Sequence, residues 1–494
     1  MAKRLAARDC MPFLLDNKKP CSKNIIPPNS DIKDLKDYIK VLTLFVDSII
    51  PVSIFNDNSL KDDVESKLAY SPFENQPIVF RKDNDIETVR AWQAGRYIGS
   101  AKIGDTIIEI TPRFGEEWLK YVLNDIFNFK LTKSEDLNKM GEQNPLMLRI
   151  LWHIWVRKFA EADQYGLPRS TVKRIHQGLQ TRGHLNIRKS IFPFFTKRQV
   201  VSEYREKEID DAICKIVYKA YGILLNRNIK NSNVSSQIQD TLNSLHTHYK
   251  GKAISVTEQD YQDVSYKSIY LSWKPLVDFS WQIIKQDSLF KKTNKQKGEN
   301  FSIFFDMAEI WEAFLRKKLG EGFADDGWRV LSVEECKYKI YQGKFFERLI
   351  IPDIILTRTN EKGENEYMVF DAKYKRMRIN KSKGYDVDRT DLFQIHTYIQ
   401  FVEHHLGHVV IGGLLYPLTR KGQDEEGNEV EFKIDPDKFH SAHLYGKESG
   451  MYSNTPFIID GVFCSESDDA EGNDKDAMDE NVTEMIERIK AYIE

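Results

Sequence analysis

Two short acidic motifs on either side of one turn carry the chemistry of this sequence. Pro352-Asp353 stands near the start of Ile-Pro-Asp-Ile-Ile-Leu-Thr, and Asp371-Ala372-Lys373 closes Glu-Tyr-Met-Val-Phe-Asp-Ala-Lys-Tyr-Lys. Between them lies the polar stretch Asn360-Glu361-Lys362-Gly363-Glu364. Two β-branched and aromatic runs joined by a Gly-containing loop predict a β-hairpin. Side chains alternate across a strand, so Asp371 and Lys373 share one face while Phe370, Ala372 and Tyr374 share the other, where they can pack on a helix. Antiparallel pairing brings the two ends remote from the turn together, and with them Asp353, Asp371 and Lys373.

Paired carboxylates are hard oxygen ligands that suit Mg²⁺ or Mn²⁺ better than softer ions. A metal so held lowers the pKa of a bound water and neutralises a phosphate, while a neighbouring lysine orients the water or helps deprotonate it. Pro-Asp and Asp-x-Lys each occur often by chance, on exposed hairpins with unrelated charges. At hairpin spacing, with an apolar face filled by Val369 and Phe370, the two together favour a phosphodiester-cleaving site. Pro352-Asp353 with Asp371-Ala372-Lys373 resembles the Pro-Asp…(Asp/Glu)-x-Lys signature of the restriction-endonuclease-like nuclease superfamily. Asp-Ala-Lys-Tyr-Lys is similar in detail to the McrC family of modification-dependent (LlaJI-type) restriction systems. Phe305-Asp-Met-Ala-Glu-Ile-Trp-Glu-Ala-Phe314 resembles that family's Asp-Met-x-x-Leu-Phe-Glu helix and places Glu312 at its upstream acidic residue. Gln394 and Tyr398 resemble a Gln-x-x-x-Tyr helix motif found in part of the superfamily. The resemblance implies a catalytic set of Glu312, Asp353, Asp371, Lys373, Gln394 and Tyr398, with Glu312, Asp353 and Asp371 as the metal ligands.

The elements around the hairpin can be read without the resemblance. A helix from Ile303 to Lys318 is followed by strands near Trp328 to Ile340, Leu349 to Leu356 and Tyr367 to Lys375, then a helix from Asp391 to Leu406 and a strand from His408 to Tyr416. That order, α-β-β-β-α-β, predicts a mixed sheet flanked by helices. On the second helix Leu392, Ile395, Ile399, Val402 and Leu406 form the core stripe, so Gln394 and Tyr398, four apart, share an adjacent face toward the site. Lys375, Arg376, Arg378, Lys381, Lys383 and Arg389 lie between hairpin and helix, a basic loop suited to a phosphodiester backbone.

The N-terminal half reads differently. Residues 1 to 70 show helical spacing from Asp31 to Ile50 but no chemistry. Short strands broken by Gly between Ile78 and Arg113 predict a small β-barrel or curled sheet. Tyr97-Ile-Gly and Ile108-Glu-Ile-Thr-Pro-Arg113 resemble two strands of the McrC N-terminal region, with Arg113 in place of a lysine, and in that family the region is a stalk that engages a partner ring. A core helix is expected from Leu146 to Tyr165. Leu167 to Val201 contains no acidic residue but carries Arg169, Lys173, Arg174, Arg182, Arg188, Lys189, Lys197 and Arg198, with Phe192, Phe194 and Phe195 interleaved. Such a block suits a polyanion, a solvated face or an acidic protein surface. Within it, Thr181-Arg-Gly-His-Leu185 resembles the Arg-Gly-x-(Ile/Leu) turn of McrC proteins. Helices are expected at Glu206 to Asn226, through Ile238, Leu242 and Leu245, and at Tyr270 to Gln286, the last opening the nuclease half.

Length and composition bound these readings. The 494 residues exceed one ordinary domain, and 41% hydrophobic with 30% charged residues at a net charge of −2 describes a soluble multidomain chain. The expected divisions are 1–70, of unassigned role; 71–264, a β-rich and helical partner-binding region; 265–450, the nuclease domain; and 451–494, an acidic tail, disordered from Glu466 to Glu480, with a final helix from Val482 to Ile493. The fold class is thus multidomain α+β and α/β, a β-rich and helical stalk followed by a restriction-endonuclease-like core. Cys10, Cys21, Cys214, Cys336 and Cys464 form no Cys-x-x-Cys pair, which argues against a zinc ribbon or iron–sulfur cluster. No run reaches transmembrane length, and a cytoplasmic protein is expected. The chain lacks Gly-x-x-x-x-Gly-Lys-(Ser/Thr), so it should bind no nucleotide itself. The resemblance implies a Mg²⁺-dependent DNA endonuclease that acts with an AAA+ GTPase, on double-stranded DNA, as two copies for duplex cleavage. The other readings are a non-cleaving adaptor of the motor and a stand-alone repair or recombination nuclease.

Overall fold

A computed structural model describes residues 3–10, 78–81, 92–103, 106–127, 145–226, 235–293, 301–333, 335–342, 347–375, 378–380, 384–419, 421–423, 429–431, 455–465 and 475–493. The helix expected from Asp31 to Ile50, the basic residues Arg376, Lys381 and Lys383, and the acidic stretch 466–474 lie outside them. The chain forms two compact units, Met1–Met147 with Phe290–Glu494, and Leu148–Leu289. No described helix is long and apolar enough to cross a membrane.

The first unit begins with a sheet rather than a barrel. Strand β1 (Lys3–Arg8) runs parallel to β3 (Thr106–Thr111), which pairs antiparallel with β2 (Tyr97–Ile103). Both strands are β-branched runs of the kind that the sequence predicts between Ile78 and Arg113. Beyond β3, Arg113 is 1% exposed. Its backbone N–H donates to Asp9 Oδ1 at 2.5 Å and its guanidinium lies 3.4 Å from Asp9 Oδ2, 4.6 Å from the Phe114 ring centre and 4.4 Å from that of Tyr374. The residue compared above with a partner-binding strand's lysine therefore points into this unit's own core. Helix α1 (Gly115–Phe127) follows, with Trp118, Leu119, Val122 and Leu123 buried.

The second unit is helical with one projecting arm. Helix α2 (Pro145–Ala162) leads to β4 (Arg169–Gly178), β5 (His184–Leu185), α3 (Ile187–Lys197), β6 (Val200–Ile209) and α4 (Asp211–Leu225), then α5 (Ser236–Tyr249), the short α6 (Glu258–Gln262) and α7 (Lys274–Thr293). Trp152, Trp155, Phe159, Ile216, Val217, Leu242, Leu245, Trp273 and Phe279 are buried, and Trp155 Nε1 donates to Ser280 Oγ at 3.0 Å. Strands β4 and β6 pair from Arg169↔Ile209 to Gly178↔Val200, with α3 inserted between them. The helix expected to start at Glu206 thus starts at Asp211, capped by Asp210, whose carboxylate accepts from the Ala212 N–H at 3.2 Å. Residues 200–209 are strand because β4 supplies a ladder along their whole length. The helix expected to open the nuclease half instead completes this unit: Trp273 packs edge-on to Phe159, and Tyr261 donates to Asp278 Oδ1 at 2.8 Å. The division placed between 264 and 265 accordingly falls inside the second unit.

The chain returns to the first unit with β7 (Phe301–Asp306), which pairs antiparallel with β2 and completes the four-stranded sheet β1-β3-β2-β7. Gly99 sits opposite Phe304 with φ near +150°, and a Cβ there would lie 1.9 Å from the Ile303 carbonyl oxygen. Helix was expected from Ile303, but Ser302-Ile-Phe-Phe finds this open edge, and Asp306 caps α8 (Met307–Gly322) by accepting from the Ala308 N–H at 2.9 Å. Strands β8 (Arg329–Val330), β9 (Tyr338–Gln342), β10 (Glu347–Ile350), β11 (Ile354–Thr359) and β12 (Asn365–Ala372) follow, then α9 (Arg389–His405), β13 (His408–Leu418), β14 (Phe457–Phe463) and α10 (Lys475–Lys490). The main sheet has the order β8-β11-β12-β13-β14, antiparallel on the β8 side and parallel from β12 to β14. The strand expected from Leu349 to Leu356 is broken at Pro352, which has no N–H for a ladder, so β10 pairs with β9 and β11 with the main sheet.

Residues beyond 450 are part of this unit. Strand β14 adds to the sheet, and α10 buries Met478, Val482, Met485 and Ile489 while Arg488 donates to Asp460 at 2.9 and 3.0 Å. The helix begins at Lys475, seven residues before the expected Val482, because an acidic composition does not prevent an amphipathic stripe. Full burial of an apolar side chain contributes roughly 1.5–3 kcal/mol, so losing this helix should cost on the order of 5 kcal/mol after allowing for a compact unfolded state. A chain ending at Ser465 is therefore expected to melt well below the full chain in thermal unfolding followed by circular dichroism; an unchanged midpoint would contradict this packing.

Candidate active site

The β11–β12 register decides the site. Ile354 pairs with Phe370, so the residues just beyond, Asp353 and Asp371, meet at the open end of the hairpin. Asp353 Oδ2 accepts from the Ala372 N–H at 2.9 Å. Asp371 is completely buried, and neither of its oxygens accepts a hydrogen bond, although the Lys373 ammonium stands 2.8 Å from Oδ2. Lys373 Nζ donates to Gln394 Oε1 at 2.9 Å, and Gln394 Nε2 donates to Tyr398 Oη at 2.8 Å. The hairpin lysine and the α9 pair are thus one chain of hydrogen bonds. The strand expected to run to Lys375 ends at Ala372, and just beyond it Tyr374 is buried against Trp118 and Trp311, with ring centres 6.2 and 6.5 Å away.

Helix α8 brings Glu312 to the same place. Trp311 Nε1 donates to the Leu415 carbonyl at 3.2 Å, which fixes the helix on β13. One turn after Glu312, the Arg316 guanidinium donates to the Asp353 and Leu331 carbonyls and clamps the Pro-Asp turn. Burial pushes the Glu312 carboxyl up to about 7 from its ordinary 4.5; the Arg316 charge opposes the rise, and Glu309, Asp371 and Asp306 add to it. Asp353 is raised by burial and then by Glu312. Asp371 is raised well above the carboxylate range by burial and then by Asp353. Burial pulls Lys373 down, but Asp371, Asp353 and Asp391 outweigh it, and its pKa is raised.

Carboxylates crowded this way disfavour one another's charge, and a hard divalent cation is the partner that relieves them. The orphaned oxygens of Asp371 fit such an ion, as does the all-oxygen donor set. As they stand, no group of three or more His, Cys, Asp or Glu side chains among the described residues is close enough to hold one ion. The Ala372 N–H engages one oxygen of Asp353, and the Lys373 ammonium lies against Asp371.

The basic residues fall into two groups. Lys375, expected along DNA, places its ammonium 2.5 Å from Asp391 and 3.6 Å from Asp388. Arg378 lies in a short ladder, residues 378–380 with 384–386, and its side chain, like Arg376, Lys381 and Lys383, is outside the described residues. Arg182, Arg188 and Lys189 belong to the arm of the second unit. There Arg182 stacks over Tyr204 at 5.2 Å and Lys189 lies 3.6 Å from Glu203. The block without acids gains them from β6 across the ladder, a pairing that a linear reading of residues 167–201 does not reveal. The arm is apolar as much as basic, with Phe192 77% and Phe195 81% exposed and Leu179, Ile187 and Ile191 also exposed.

The family model described as "McrBC 5-methylcytosine restriction system component" matches residues 92–417. The chain belongs to that family. A search of curated proteins gives no match. Among solved structures, a chain of a half-complex from a tetradecameric assembly of Thermococcus gammatolerans McrB AAA+ hexamers with bound McrC is 15% identical, with TM-score 0.45, over 97% of this chain and 99% of that one. A chain of the Thermococcus gammatolerans McrBC complex is 14% identical, with TM-score 0.35, over 65% and 88%. Both likenesses are slight.

Three residues of this McrBC family member stand in the site without a motif to announce them: Arg316, Asp391 and Tyr416. Arg316 had a readable signal, since it lies four after Glu312 and so on the same helix face. Asp391 and Tyr416 had none.

Glu312 gives the site a pH signature. A carboxyl whose folded pKa is raised binds more protons folded than unfolded, so its contribution to stability declines as pH rises from about 4.5 to about 7. Glu312→Gln removes that contribution. The expected outcome is a metal-free melting temperature that falls less steeply with pH across that window in the variant than in the natural chain, measured in a chelator-containing buffer series; parallel slopes would mean that Glu312 is not so perturbed.

Proposed function

We propose that this chain is the cleavage subunit of an McrBC-type restriction system, a Mg²⁺-dependent endodeoxyribonuclease with a restriction-endonuclease-like (Pro-Asp…Asp-x-Lys) catalytic core, acting with an AAA+ GTPase ring. The observation that carries the reading is Asp371: a completely buried carboxylate beside Asp353, with the Lys373 ammonium 2.8 Å from Oδ2. Asp371, Asp353 and Glu312 would hold Mg²⁺ or Mn²⁺, which supplies water activation and neutralisation of the phosphate. Lys373, fixed by Gln394 and through it by Tyr398, presents an ammonium where the attacking water would lie and orients it. Arg316 keeps the Asp353 backbone in register with Asp371. Arg376, Arg378, Lys381 and Lys383 are the residues we assign to the phosphate track of double-stranded DNA. One such site cuts one strand, so a second copy is needed for a duplex break.

The partner surface in this reading is the arm of the second unit. Phe192 and Phe195 stand exposed on one short helix between basic residues, and an exposed apolar patch rimmed by polar groups is the mark of a protein contact. Family membership supports the AAA+ ring as that partner. The chain has no phosphate-binding loop of its own, so nucleotide turnover falls to the ring.

The chemistry is tested at saturating DNA. Asp371→Ala, Asp353→Ala and Lys373→Ala are each expected to lose cleavage in Mg²⁺ or Mn²⁺ with little change in DNA affinity. Replacing Arg376, Arg378 and Lys381 together should weaken binding and reduce its salt dependence by up to about three phosphate contacts. Normal cutting by the Lys373 variant would remove it from the catalytic set. For the partner, Phe192→Ser with Phe195→Ser is expected to abolish co-elution with the GTPase and stimulation of GTP hydrolysis at an unchanged melting temperature; full stimulation by this variant would move the contact elsewhere.

A further inference from the structure

The Lys373 ammonium lies between two carboxylates. On one side Asp371 Oδ2 is 2.8 Å away, and on the other Asp391 Oδ1 is 3.8 Å away. Asp391 sits in the first turn of α9, 5% exposed, and its other oxygen is fixed twice: Lys375 Nζ stands 2.5 Å from Oδ2 and the Tyr416 hydroxyl donates to it at 3.1 Å. That leaves Oδ1 to face Lys373.

This placement matters because a divalent cation and Lys373 want the same partner. An ammonium anchored to Asp371 alone would occupy an Asp371 oxygen and repel an approaching cation. Once displaced, it would be a buried charge without an anion, which is costly. A second, rigidly held carboxylate on its far side removes both obstacles, and Gln394 fixes the direction in which the ammonium points.

We propose that Asp391 is a positioning residue of the site: it retains Lys373 when Asp371 turns to a divalent cation, so the two can be present together. The proposal rests on the metal-nuclease reading above. It differs from a plain strut for Lys375 and Tyr416, and from a general negative field, because its effect on metal binding must pass through Lys373.

The test is Mn²⁺ binding to the full-length protein without DNA, titrated by electron paramagnetic resonance, which needs no catalysis. Asp391→Asn keeps the shape and an acceptor for Tyr416 while removing the charge. It is expected to weaken Mn²⁺ binding roughly tenfold, and by less than about twofold when Lys373→Met is also present. Tyr416→Phe, which keeps the Asp391 charge but frees its carboxylate to turn, should give a smaller loss that likewise vanishes with Lys373→Met, and it serves if Asp391→Asn folds poorly. Equal losses in the two backgrounds, or no loss in either, would overturn the proposal and leave the nuclease reading standing. Failure of the unsubstituted chain to bind Mn²⁺ more tightly than Asp371→Asn would bring down both.

Discussion

Like charges forced together in a dry place need a reason and a remedy, and the first unit is organised around one such pair. The ladder that joins Ile354 to Phe370 leaves no freedom in where Asp353 and Asp371 lie, because a slip of one residue would turn every alternate side chain of β12 to the wrong face. The apolar residues Met368 and Phe370, fully buried, hold that register. Everything else near the site either supports the ladder or compensates its charge. Arg316 ties the Asp353 backbone to α8, Trp311 ties α8 to β13, and Lys373 supplies positive charge from just past the end of β12.

The aromatic side of the same strand does different work. Tyr374, one residue after Lys373, lies among Trp118, Trp311 and the guanidinium of Arg113, and Arg113 is paired with Asp9 at the end of β1. The N-terminal sheet is therefore joined to the segment that follows β12 through a buried ion pair and a ring cluster. A substitution at Arg113 would take the guanidinium away from the buried Asp9 carboxylate and from the Tyr374 ring, which is costly, and would loosen the packing at the residue next to Lys373.

How much of this could be read in the sequence follows from the range of each interaction. The hairpin carboxylates and Lys373 were legible because strand alternation and a turn fix them within 25 residues, and the Gln394–Tyr398 pair because helical spacing puts both on one face. Arg316 was half-legible for the same helical reason. Asp391 and Tyr416 were not, since their meeting depends on how α9 lies on β13, which no local pattern encodes. The errors in element type have a common cause. Ile303–Asp306 and Glu206–Ile209 carry charged or aromatic residues compatible with helix, and each is strand because another segment offers an unpaired edge. The C-terminal helix was legible from Val482 on, and its first turns from Lys475 were obscured by acidic neighbours.

The order of the four-stranded sheet has a consequence for how the molecule comes into being. Residues 148–289 form their own contacts and can fold as a ribosome delivers them, at about 5–20 residues per second. The first unit cannot: β2 waits for β7, some two hundred residues later in the chain, and the main sheet waits for β14 and α10. Long-range pairing of this kind is slow because loop closure precedes any reward. Asp353 and Asp371 can meet early within their hairpin, but the sheet around them is complete only when β13 and then β14 have paired. A half-made chain therefore has its arm before it has the finished main sheet, and the Asp353–Asp371 site matures last.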